Sequence, residues 1–112
     1  MRIDNLIPDK PSGFALENLL AIEVFGCKRA SANDEKSSTW EGLGEVVERM
    51  CGMGWRVTLE LDLADSSAGC YTVAFANDTL LVRCAQSAPI APVAAALAAI
   101  EAVRYVAGLE LP

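Results

Sequence analysis

Glu60 and Asp62 are two acidic residues whose spacing suits acid–base or metal chemistry. They stand two positions apart in a segment that alternates between apolar and polar residues, so both lie on one face of a predicted strand. Paired carboxylates carry out general acid–base catalysis or bind a divalent cation. Charges on an exposed strand also prevent unwanted edge pairing. Because no third carboxylate and no apolar pocket is predicted nearby, we expect a solvated sheet face here.

A second acidic group follows a helical spacing. Glu41, Glu45 and Glu48 fall three or four positions apart, so they form one ridge along a predicted helix. Such a ridge can bind a basic protein surface. It is also typical of an ordinary solvent-facing side, with acids near the N-terminus of a helix. The residues leave both interpretations open.

Trp40 is the aromatic residue that we single out for a binding role. It falls in the first turn of the predicted helix, directly after a polar segment over residues 27–38, so we expect an exposed indole ring. Trp55, in contrast, begins the alternating segment and is predicted to lie in the core.

Residue types alone exclude several catalytic chemistries. The chain has no histidine, which rules out a Ser-His-Asp triad, a Cys-His pair or a histidine-bearing metal site made by this chain alone. The four cysteines, at positions 27, 51, 70 and 84, do not form the close pairs of a zinc site. The N-terminal residues lack the pattern of a signal peptide, so we expect free thiols in the cytoplasm. We predict no catalytic residue, no metal site and no cofactor.

Length and composition predict one acidic, compact domain. The 112 residues are 53% hydrophobic and carry a net charge of −6. Nucleic-acid binding needs clustered basic residues, whereas the nine Lys and Arg residues here are scattered. The longest uncharged stretch, Cys84 to Ile100, is alanine-rich, holds two prolines and is too short to span a bilayer. We therefore expect a protein partner or self-association, and neither nucleic acid nor membrane.

Two helices are predicted before the first strand. The first precedes the polar segment and carries Glu17 on its solvent side. The second begins at a capping box, with Ser38 as the N-cap and Glu41 three residues later. Gly42 and Gly44 are each expected to weaken this helix by about 1 kcal/mol relative to alanine.

Three strands and a last helix are predicted to follow. Residues 55–63 alternate strictly, which predicts a buried face formed by Trp55, Val57, Leu59, Leu61 and Leu63. Two more strands, 70–76 and 79–85, are joined by a two-residue turn at Asn77 and Asp78. The last helix, 93–107, ends at Gly108 and places Glu101 and Arg104 on its solvent side.

The order α-α-β-β-β-α predicts an α+β fold class. A three-stranded antiparallel sheet is packed with helices in two or three layers, an αβα sandwich in the three-layer case. One domain spans residues 1–112, with an N-terminal arm at 1–12, a compact body at 13–108 and a tail at 109–112.

Four segments carry a resemblance to a known family: LENLLAIEVFG at 16–26, TW at 39–40 with VVERM at 46–50, WRV at 55–57 with YTVAF at 71–75, and AQSAP at 85–89 leading into AAALAA at 94–99. In their order and spacing they are similar to the small phage ABA-sandwich domain family. The resemblance implies helices around an antiparallel sheet and a protein encoded by a phage or prophage. It brings no catalytic residues, and Cys27 stands where the family usually has an aromatic residue.

Size, acidity and this resemblance lead to three functional hypotheses. The first is a non-enzymatic phage or prophage accessory protein in the host cytoplasm that binds a host protein, with inhibition of a defence complex as its role. The second is a homo-oligomeric structural or scaffold protein. The third is a small-metabolite binder or enzyme that uses Glu60, Asp62 or Trp40 at a subunit junction.

Overall fold

The computed structural model describes residues 13–30, 35–62 and 70–110. Over these ranges the element order confirms the predicted α+β fold class. The elements are α1 (Gly13–Leu19) with a π-helical continuation (Leu20–Val24), α2 (Trp40–Gly52), β1 (Arg56–Asp62), β2 (Cys70–Asn77), β3 (Val82–Ala88) and α3 (Ala91–Glu110). The predicted arm, Leu63 and the end of the predicted tail lie outside the described residues.

The three strands form an antiparallel meander in the order β1-β2-β3. On one face Leu59 lies opposite Val73, and Phe75 lies opposite Cys84. The described helices cover this face, and α3 packs on both β2 and β3. The other face exposes Thr58, Glu60, Arg83 and Ser87. Of the two predicted layer arrangements, the described residues therefore form the two-layer one, with a helical layer on one side of the sheet.

The alanine-rich helix α3 is the centre of the core. It is long and apolar enough to cross a membrane by length and composition, yet 56% of its apolar window is buried inside the domain. Seven of its alanines are fully buried, which lets the helix backbone approach the sheet closely. Pro92 lies in the first turn, where a missing N–H costs nothing, so it does not disturb the start of the helix. The predicted end at Gly108 is wrong, because the helix continues to Glu110.

Two local predictions are corrected by hydrogen bonds. The N-cap of α2 is Thr39 and not Ser38: Thr39 has extended backbone angles, and its hydroxyl accepts a hydrogen bond of 3.0 Å from the Gly42 N–H. The β2–β3 turn is longer than two residues, since Asn77 pairs with Val82. The Asn77 side chain stabilises this turn by accepting from the Leu80 N–H at 3.0 Å.

The predicted buried face of β1 is only partly correct. Trp55 is buried and Val57 is half-buried, but Leu59 is 42% exposed and Leu61 is 47% exposed. These residues do lie on the predicted side of the sheet. Val57 and Leu59 lie opposite the buried Phe75 and Val73, and Leu61 lies opposite the half-buried Tyr71. The C-terminal end of α2 packs over the start of β1, where the Trp55 N–H donates to the Met50 carbonyl. Further along the strand the inward side chains become progressively more exposed.

Three charged residues that were predicted on solvent-facing sides, Glu17, Glu101 and Arg104, are buried or half-buried instead. Glu17 is buried, and so is Glu101, which is 1% exposed. Arg104 forms a bidentate ion pair with Glu23, with N···O distances of 2.7 and 2.8 Å. This pair joins α3 to the π-helical segment, and the hydrogen bond to Glu23 raises the pKa of Arg104.

Candidate binding groove on the second helix

An open groove lies between the C-terminal half of α2 and the end of the first helical segment. Its volume is about 490 Å³. The lining residues are Phe25, Glu45, Glu48, Arg49, Gly52 and Met53. The groove therefore combines two apolar side chains with two carboxylates, a composition suited to an amphipathic cation.

Local backbone chemistry fixes the walls of this groove. The Arg49 Nε donates a 3.0 Å hydrogen bond to the Val24 carbonyl, which is one of the carbonyls that the end of a helix leaves without an intrahelical partner. Gly26, with φ of +71°, then turns the chain away and leaves Phe25 at the rim. Arg49 therefore connects α2 to the end of the π-helical segment, and it also lines the groove.

The rim of the groove already binds an ammonium group of the same chain. The Lys36 Nζ lies 5.2 Å from the centroid of the Phe25 ring, within the range of a cation–π interaction. The same nitrogen is 4.0 Å from Glu45 Oε2. Phe25 and Glu45 together therefore show the chemistry that this rim offers to a cation.

Six residues were singled out from the sequence, and the structure distributes them over three places. Glu45 and Glu48 line the groove, while Glu41 is exposed one turn earlier on the same helix. Glu60 is exposed on the uncovered face of the sheet, opposite Thr72.

The remaining two of the six lie near the far end of β1. Asp62 ends the strand opposite Cys70. Trp40 is 59% exposed, as predicted, and meets Tyr71 edge-on at a centroid distance of 5.9 Å. Glu60 and Trp40 therefore do not belong to one site, because they lie on opposite sides of the sheet.

The apolar residues of the groove were missed by the sequence analysis. Phe25 and Met53 each stand next to a glycine with positive φ, Gly26 and Gly54, just past a helical segment. A side chain at such a chain reversal is positioned by the turn, and periodicity does not predict which neighbour it meets. An apolar residue paired with a helix-ending glycine is the only signal that the sequence offers there.

Glu17 positions the segment next to the groove, although the sequence predicted it on the solvent side of its helix. Its buried carboxylate accepts hydrogen bonds from the N–H groups of Lys36 (2.5 Å) and Ser37 (3.0 Å), and from the Ser37 hydroxyl. A carboxylate that accepts several hydrogen bonds holds a loop strongly. This clamp fixes the backbone that carries the Lys36 side chain to the groove.

A buried polar cluster lies beneath the sheet between β3 and α3. The Gln86 amide donates to the Glu101 carboxylate, and the Cys84 thiol is hydrogen-bonded to the same group. Burial raises the pKa of Cys84 to about 12, and the charge of Glu101 adds to the effect. Because all three residues face the core, this cluster holds α3 against the sheet and offers no surface to a substrate.

The four cysteines are free thiols, as predicted, and they differ in exposure. We expect Cys27 and Cys51 to react rapidly with iodoacetamide, and Cys84 to react only after unfolding, because it is buried and protonated. Peptide mapping with and without urea measures the labelling of each cysteine. Equal labelling of Cys27 and Cys84 in the native protein would contradict the assignment.

The raised pKa of Cys84 also predicts a change of stability with pH. The unfolded thiol ionises near pH 9.0 and the folded one near 12, so the stability contribution of Cys84 falls as pH rises between these values.

Among the described residues, no group of three or more Cys, Asp or Glu side chains comes together in a way that could hold a metal ion. Comparison of the chain with protein-family models, with curated proteins and with solved structures finds no match. The groove on α2 is therefore interpreted from its own geometry.

Proposed function

We propose that this protein is a non-enzymatic phage or prophage accessory protein that binds a basic segment of a host protein in the cytoplasm. Inhibition of a host defence complex is the role that we assign to this binding. The observation that carries the proposal is the groove on α2, which pairs Phe25 and Met53 with Glu45 and Glu48 and already holds one ammonium group at its rim. The phage assignment rests on the resemblance of the four segments described above.

The groove suits a lysine or arginine side chain of a partner. The aliphatic part of such a side chain packs against Met53 and Phe25, and its charge lies between the carboxylates. Glu48 is exposed, so it can turn toward an incoming cation at little cost. Arg49 restricts where the cationic side chain of the partner can lie in the groove, because a cation next to its guanidinium would be repelled.

The charge of the whole chain supports the same partner. A net charge of −6 attracts a basic surface and raises the association rate at low ionic strength. Salt screens this attraction, with a Debye length of about 8 Å at physiological ionic strength. Binding is therefore expected to weaken steeply as salt is added.

The test compares two matched variants. Glu48→Gln removes one carboxylate from the groove, and Glu60→Gln removes one exposed carboxylate from the far face of the sheet. With the immobilised protein in bacterial host lysate at low salt, we expect Glu48→Gln to lower recovery of the partner about fivefold, roughly 1 kcal/mol. Glu60→Gln is expected to recover as much as the unmodified protein. Quantitative mass spectrometry of the captured proteins measures both ratios.

Two outcomes would contradict this proposal. The first is that no protein is recovered at low salt. The second is a partner whose recovery falls equally with Glu48→Gln and Glu60→Gln, since that would reflect net charge and not the groove. The homo-oligomeric alternative is favoured by a separate observation at the edge of the sheet.

A further inference from the structure

The strand β1 lies at an open edge of the sheet. Its seven residues pair with β2 on one side, and in the described part of the chain no strand pairs with its other side. An edge strand of this length presents unpaired N–H and C=O groups that can extend the sheet. The opposite edge strand, β3, differs, because its inward residues Val82 and Cys84 are buried beneath α3.

An apolar surface accompanies this edge. Leu59 and Leu61 are exposed on the side of β1 that faces the helical layer, and Leu61 lies opposite Tyr71. Trp40 stands edge-on to that tyrosine and is itself largely exposed. Exposed leucines on an edge strand are unusual, since natural edges are normally protected by charge or proline. We call Leu59, Leu61 and Trp40 the edge surface.

We propose that the edge surface binds a second copy of this chain, with the two β1 strands paired antiparallel about a two-fold axis. The pairing would make one six-stranded sheet with the helices of both copies on the same side. Antiparallel neighbours keep opposite residues on a common face, so the inward side chains of both copies meet. The inference does not depend on the proposed function, because α2 contributes only Trp40 to this surface and the groove lies elsewhere.

The inward residues are complementary in such a pairing. With the axis at Leu59, the two Leu59 side chains meet, and Val57 of each copy lies opposite Leu61 of the other. These three pairs would bury apolar side chains that are exposed or half-buried in the single chain. The two Trp40 rings lie at the margins and cover the ends of this apolar row.

The charges of β1 are also complementary to those of a second copy. With the axis at Leu59, Arg56 opposes Asp62 of the other copy, and with the axis at Thr58 it opposes Glu60. In either register the two-fold symmetry repeats this pair, so the interface contains two pairs of Arg56 with an acidic residue. An axis at Glu60 would set two carboxylates against each other and is disfavoured. This self-complementarity is the reason to assign a second copy rather than an unrelated strand.

The oligomeric state of the full chain tests the proposal. Sedimentation velocity over a concentration series is expected to show a species of twice the 11.9 kDa chain mass. Leu59→Lys with Leu61→Lys is expected to give a monomer at every concentration, since lysine on an edge blocks pairing. The matched control is Ile90→Lys, which replaces a side chain of similar exposure (45%) away from β1 and is expected to leave the dimer intact.

A second pair of variants tests the charge argument. Arg56 forms an ion pair with Asp78 of its own chain, with N···O distances of 2.7 and 2.9 Å. Arg56→Glu removes this pair and reverses the charge at the edge, so we expect the dimer Kd to rise at least tenfold. Asp78→Asn removes the same pair but leaves the edge unchanged, and is expected to keep the Kd within twofold.

Three results would overturn the proposal. One is a monomer for the unmodified chain at its highest soluble concentration, which would also fit an edge covered by residues 1–12 of the same chain. Another is a dimer that survives Leu59→Lys with Leu61→Lys. The third is equal weakening by Arg56→Glu and Asp78→Asn. None of these results bears on capture of a host protein by the groove, so the two proposals fail separately.

Discussion

Gly42→Ala is expected to lower the free energy of unfolding by about 3 kcal/mol. A Cβ at this position would lie 2.7 Å from the carbonyl oxygens of Glu35 and Lys36, and closer still to the Cα of Lys36. All three atoms belong to backbone, so no side-chain rotation relieves the clash. The segment before α2 would have to move, and Glu17 would lose the geometry of its hydrogen bonds to that segment.

Gly44→Ala is the matched control for this result. It lies on the same helix two residues later, and a Cβ there meets nothing within 4 Å. Alanine in a helix interior is favoured over glycine, so this variant is expected to be more stable by about 0.5–1 kcal/mol. Urea unfolding followed by circular dichroism measures both values. Equal changes in the two variants would show that the approach of Lys36 to α2 does not constrain residue 42.

Glu17→Ala is the second substitution with a large expected effect, a loss of about 3 kcal/mol. The carboxylate accepts from two backbone N–H groups and one hydroxyl, and Ser37 is itself buried. Removing the acceptor leaves these donors without their partner in a place that water reaches poorly. Amide hydrogen exchange of Lys36 and Ser37 is expected to accelerate together with the loss of stability.

Two further variants make this interpretation specific. Glu17→Gln keeps one acceptor oxygen and is expected to lose less than Glu17→Ala. Glu48→Gln removes an exposed carboxylate and is expected to change stability by less than about 0.5 kcal/mol. If Glu17→Ala were as mild as Glu48→Gln, the clamp would contribute little to holding the loop.

The order of the elements follows from sequence periodicity, but the roles of two glutamates do not. The 3.6-residue and two-residue periods predict the α-α-β-β-β-α order that is observed. Glu17 falls three and seven residues before Leu20 and Val24, and Glu101 falls four and seven residues after Leu97 and Ala94, so each lies on a buried face. Helical position therefore predicts the burial of Glu17 and Glu101 better than their charge does, because each carboxylate accepts a hydrogen bond inside the domain.

The candidate site was predictable only in part, for reasons of long-range packing. Helical spacing places Glu45 and Glu48 on one ridge, but the groove exists because Phe25 and Lys36 approach that ridge from other segments. The exposure of Leu59 and Leu61 has the same origin, since alternation defines the two faces of a strand and not how far a helix covers them. Contacts between distant segments decide both features.

The central position of α3 has a consequence for how the chain folds during synthesis. This helix packs on β2, β3, α2 and the π-helical segment, and its Arg104 reaches Glu23, 81 residues earlier in the chain. It is the last of the described elements to leave the ribosome, so β2 and β3 lack the helix that packs on them until then. Contacts of this sequence separation slow folding, because a long loop must close before they form. We therefore expect the domain to complete its core only after α3 has been translated.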